Sequence, residues 1–141
     1  MCEEAVRFRH HFLINDCILS VCTSLNHETR DVAVGWSIFN SADRTWIKKV
    51  GNGIARKRMK ETPLMFNLSK DEPIICDYIS LRALMVILGA SKREYDDTIQ
   101  DNTPRAIYRD TLLAVEYEMI RVLSLLGERV GLPSITSGEI E

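Results

Sequence analysis

The 141-residue chain has no pair of cysteines two residues apart, no His-x-x-x-His, no Gly-x-Ser-x-Gly, no P-loop and no Gly-x-Gly-x-x-Gly. These gaps leave a structural zinc site, a serine nucleophile, a phosphate loop and a dinucleotide pocket without a sequence signal. His10, His11 and His27 have no ligand spacing, and adjacent His10 and His11 point to opposite faces of a strand. They read as strand-surface histidines. The reading is therefore of a protein that is not an enzyme and takes no metal and no cofactor. Apolar runs are also short. The longest, Pro73 to Leu88, is broken by Asp77 and Arg82 and falls below the ~20 residues a bilayer crossing needs. Cys2, Cys17, Cys22 and Cys76 are irregularly spaced, and no charged-then-apolar leader follows Met1. Reduced thiols and a cytoplasmic location are expected.

What is abundant is local positive charge. The formal net charge is −2, yet residues 43–60, DRTWIKKVGNGIARKRMK, carry +6, so the remainder carries −8. An acidic body disfavours nonspecific duplex binding unless the basic segment forms a face of its own.

Residues 8–25 are rich in Phe, Ile, Leu, Val and Cys with partial alternation, predicting one or two strands. NHETRD reads as a turn and DVAVGWSIFN, 31–40, as the returning strand. Beyond the N-cap candidates Asn40, Ser41 and Asp43 the period shifts toward 3.6. Trp46, Ile47, Val50 and Ile54 share one apolar arc, predicted to face the core, while Lys49, Arg56 and Lys60 gather opposite. Arg58 projects beside Ile47 and Ile54 and is expected to be partly buried and specifically paired. Gly51 and Gly53 weaken this helix by roughly 1 kcal/mol each relative to alanine, which suggests close approach by a neighbour or ligand, or a local break. Thr62 and Pro63 end it.

LMFNL, 64–68, supplies a short further strand. Ser69 and Glu72 have capping-box spacing, and Gly89 is placed to close the second helix. Residues 91–102 read as a loop or a short helical turn whose Glu94, Asp96, Asp97 and Asp101 are solvated charges. Thr103 and Pro104 begin a third helix running to about Leu126. Tyr108, Leu112, Val115, Met119, Val122 and Leu126 form a packing seam. Leu113, Tyr117 and Ile120 lie off it and call for a second contact.

The expected fold is α+β, a small antiparallel sheet from the N-terminal half packed against three helices. It forms one domain over 1–132 with a flexible acidic tail at 133–141. The heptad seam and the over-apolar second helix point to a homo-oligomer.

Phe39, Ser41, Asp43, Trp46, Lys49, Gly51, Ile54, Ala55 and Arg58 together form a strand-delivered aromatic, a turn, and a helix reading aromatic, Lys, Gly, Ile-Ala and Arg. This segment, about one seventh of the chain, resembles the phage anti-Thoeris sponge proteins, which sequester cyclic ADP-ribose type signals without turnover. Asn52 and Lys57 depart from the pattern. The resemblance implies a host-cytoplasmic counter-defence protein, with Lys49 and Arg58 as phosphate contacts. The residues themselves add Arg56 as a third cation and Phe39 or Trp46 as a frame for a base. The expected partner is an anionic nucleotide-like molecule. The alternatives are a host defence protein that the chain occludes, or nucleic acid on the basic helix.

Overall fold

The structure, a computed structural model, describes residues 5–40, 47–101 and 109–129; at 5, 40, 94–101, 109–110 and 128–129 it describes backbone only. Trp46, the caps at 41–43 and 103–104, Tyr108 and the tail lie outside the described residues.

The alternating first quarter of the chain gives three strands, β1 (Ala5–Phe12), β2 (Cys17–Leu25) and β3 (Asp31–Asn40). The turn after β2 is tied by the Asn26 side chain, which accepts from the amides of Glu28 (2.9 Å) and Thr29 (3.2 Å), an Asx turn of the kind that reverses a hairpin. It closes on Arg30, whose φ of 64° is unusual for a long side chain. After α1 (Lys48–Glu61) the chain returns as β4 (Leu64–Asn67), so the sheet runs β1-β2-β3-β4, antiparallel throughout. The helices α2 (Cys76–Asp101) and α3 (Arg109–Arg129) follow. The α+β class and the N-terminal antiparallel sheet are as expected.

Strand alternation gives the sheet two unlike faces. Leu19, Val21, Val32, Val34 and Phe66 form the large-residue side, in one cluster with Ile79, Leu84, Ile87, Leu112, Val115 and Val122 of the antiparallel α2–α3 pair. Trp36 packs against this cluster, in line with a core role. The opposite side offers Ser20, Cys22 and Ser24 from β2 and Ala33, Gly35 and Ser37 from β3, and α1 lies on it.

Because the residues of that face are small, α1 approaches closely and buries Gly51, Ala55 and Met59. This overturns the expected apolar contact: Ile47, Val50 and Ile54 are exposed. A Cβ on Gly35 would sit 2.1 Å from the Ala55 carbonyl oxygen and 2.3 Å from the Met59 nitrogen. Backbone meets backbone there, which leaves no room for a large side chain at the contact point, and Met59 packs beside it against Cys22.

Two further expectations are corrected. Glu72 does reach back to the Ser69 amide (3.0 Å), yet α2 starts only at Cys76, because Glu72 also receives Tyr78 and Arg82 and so closes a turn ahead of the helix. Its far end does not stop at Gly89. A Cβ there would meet only the Arg93 side chain, at 3.7 Å, and α2 continues through the 91–101 stretch read as a loop. Among the described residues no helix is long and apolar enough to cross a membrane.

Candidate anion-binding site

The basic helix is solvated as a set. Lys48, Lys49, Arg56, Lys57 and Lys60 are exposed, and among the described residues no ion pair joins them to a carboxylate. They do not form one grip. At 100° per residue, Lys49, Arg56 and Lys60 fall on one flank and Arg58 on the other. The Lys49 flank looks toward β1, where His10 donates to Asn52 at 2.6 Å. Cys22 feels Arg56 and Lys60: burial pushes its thiol up to about 11, and these two charges moderate the rise.

Arg58 is exposed rather than partly buried, but it is paired. Its guanidinium donates to the Trp36 carbonyl at 2.9 Å. Strand β4 pairs with β3 only from Asp31 to Val34, so Arg58 occupies a backbone acceptor beyond the paired stretch of that edge. Phe39 is half-buried on the α1 side of β3. None of Phe39, Lys49, Arg56 and Arg58 lines the cavities described here.

The concave polar feature lies at the other end of the sheet, where edge strand β1 meets the start of α2. A cleft of about 340 Å³ is lined by Arg7, Phe8, Arg9, Val21, Thr23, Cys76, Ile79 and Ser80. A smaller one of about 60 Å³ shares Arg7, Thr23 and Cys76 and extends to His27. The β1–β2 register explains the convergence: Arg7 stands across from Thr23 and Arg9 across from Val21, on the face that α2 covers. Arg9 donates to Asp77 (2.8 Å) and Ser80 (3.1 Å), and Arg7 to the Cys76 sulfur (2.9 Å). The first amides of α2 have no partner within the helix, so its positive dipole end adds to the two guanidiniums. Asp77 offsets one of them. What remains is a cationic wall with hydroxyls at Thr23 and Ser80 and an apolar floor of Val21 and Ile79.

One turn of strand further along the same face, His11 is buried at 1 % exposure, correcting its reading as a surface residue. Its Nδ1 donates to Glu118 of α3 at 2.6 Å, and Arg121 grips the same carboxylate through Nε (2.5 Å) and a second nitrogen (2.8 Å). Burial would raise the Glu118 pKa, but the bonds from Arg121 and His11 outweigh it and hold it at about 2. The set is a structural tie between β1 and α3.

The sequence reading missed Arg7 and Arg9. The signal was present as Arg7-x-Arg9-x-His11, three polar residues with period two on a strand face whose neighbours in β2 are Thr23, Val21 and Leu19. Among the described residues no group of three or more His, Cys, Asp or Glu is arranged to hold a metal ion. No protein-family model matches the chain, and no curated protein or solved structure matches it either.

Proposed function

We propose that the protein binds a small anionic, nucleotide-like ligand without turning it over, with the β1–α2 cleft as the anchor for its phosphate. The observation that carries this reading is the convergence of Arg7, Arg9 and the α2 N-terminus on one concave space of about 340 Å³. That volume is at the lower end of small-molecule sites, about 300–1,000 Å³, and suits a mononucleotide-sized group. Guanidiniums match phosphate oxygens through paired N–H donors. Arg7, whose partner is a thiol rather than a carboxylate, gives up little when it turns to a phosphate. Val21 and Ile79 supply apolar surface for a sugar or base. By the resemblance of residues 39–58, the ligand would be a cyclic ADP-ribose type signal and the protein a phage-encoded sink for it.

Mass spectrometry of small molecules released on denaturation tests this, followed by calorimetry with AMP, ADP-ribose and cyclic ADP-ribose isomers. Binding is expected to weaken at least tenfold in Arg7→Gln and to stay unchanged in Lys49→Gln. The reverse pattern moves the site to α1, and the absence of both bound nucleotide and heat ends the proposal.

A second reading rests on the exposed, unneutralised bases of α1. A convex basic flank suits an extended polyanion better than an enclosed small molecule, so RNA or DNA is the alternative ligand there. Salt dependence separates the two readings.

A further inference from the structure

The outer side of the α2–α3 pair carries a groove of about 590 Å³, larger than the anion cleft and different in character. Leu81, Met85 and Leu88 of α2 form one wall, and Leu113, Tyr117 and Ile120 of α3 the other. Four of these are close to half exposed: Met85 (48 %), Leu113 (46 %), Tyr117 (59 %) and Ile120 (49 %). The α3 residues follow i, i+4, i+7 and stand as a ridge beside the groove, while the packing seam of Leu112, Val115 and Val122 is already buried in the core.

We propose that this groove receives the α2–α3 pair of a second copy of the chain, giving a two-fold dimer with a four-helix core. Three features of the face favour a copy over another occupant. First, groove and ridge are adjacent on the same molecule and of the same helical length, as an isologous contact requires. Second, the four side chains leave on the order of 400 Å² of apolar surface uncovered, within the range of functional patches. Third, the charges are self-complementary. Lys92, exposed, takes the next step of the Leu81-Met85-Leu88 stripe, and Glu116 stands in the groove wall. Because α2 and α3 are antiparallel, a two-fold running along the helices packs α2 on α3 of the second copy, so the two opposite charges fall on facing helices.

Sedimentation equilibrium of the full chain over a range of concentrations tests the inference, with the expected species at twice the 16.1 kDa chain mass. Ile120→Glu and Tyr117→Ser change exposed positions and should leave the circular dichroism intact, while raising the dimer dissociation constant about thirtyfold or more. Lys92→Glu should weaken the dimer about threefold to tenfold, and adding Glu116→Lys should restore it. Tyr117→Ser, which buries no charge, keeps the test open if Ile120→Glu fails to fold. A monomer at all concentrations overturns the proposal, as does an assembly whose size neither variant changes. Nucleotide binding does not enter these readouts, so they stand or fall apart from the cleft.

Discussion

Two single residues decide more than their size suggests. Gly35 is the point where β3 touches α1, with the Ala55 carbonyl and Met59 amide in the space a Cβ would fill. Since those neighbours are backbone, no rotamer change relieves the clash and the whole helix must lift. Gly35→Ala should cost about 3 kcal/mol or more in urea unfolding, at the upper end of overpacked cores, whereas Gly53→Ala, with nothing near its Cβ, should be neutral or stabilising. Glu118 is the second. Its pKa is about 2 against an ordinary 4.5, so its stabilisation is complete above pH 4.5 and is lost as pH falls through 2. Glu118→Gln should therefore be less stable than the parent at neutral pH by on the order of 3 kcal/mol. The gap should narrow as the pH of the denaturation series drops below 4.5.

Elements explain which of these features the sequence revealed. The strand of 31–40 was legible to the residue because alternation and turn chemistry act locally, and so was the helix stop at Thr62. The buried side of α1 was not. An apolar arc indicates the core face only when the facing surface accepts large residues, and here β2 and β3 present Ser20, Cys22, Ala33, Gly35 and Ser37. That row of small residues was itself readable as a demand for a small-residue helix face, which Gly51 and Ala55 supply. The cleft was harder to foresee, since it needs α2 to lie across β1 some 70 residues away in sequence. What fixes the lead-in to α2 is Arg30, which donates to the carbonyls of Leu68 (3.0 Å), Ser69 (2.9 Å) and Glu72 (2.5 Å). Lysine cannot reproduce that fork. Arg30→Lys should lose about 2 kcal/mol in thermal unfolding and should speed hydrogen exchange at the Leu68 amide, which bonds the Arg30 carbonyl.

The whole molecule separates three surfaces around one sheet: an apolar groove on the α2–α3 side, a cationic cleft at the β1 edge, and a basic flank on α1. Their chemistries give them different dependences on salt. Burial of apolar surface is little affected by ionic strength, a cleft that holds one phosphate loses a modest factor, and a flank of several bases loses most. The helix α1 carries +5, counting Lys48, Lys49, Arg56, Lys57, Arg58 and Lys60 against Glu61, in a chain of −2. Arg58 is turned away toward Trp36, and Lys48 and Lys57 lie off the Lys49-Arg56-Lys60 row. About three phosphates can thus be met at once, and log K for single-stranded RNA should fall with log salt at a slope of about −2. Fluorescence anisotropy should find that slope cut to about a third in Lys49→Gln/Lys60→Gln and unchanged in Arg7→Gln. A slope of about −2 that persists in the double variant would show that polyanions bind elsewhere. The acidic remainder of −7 outside α1 repels the strand away from it, so affinity at physiological salt should be too weak to compete with a ligand enclosed between two guanidiniums.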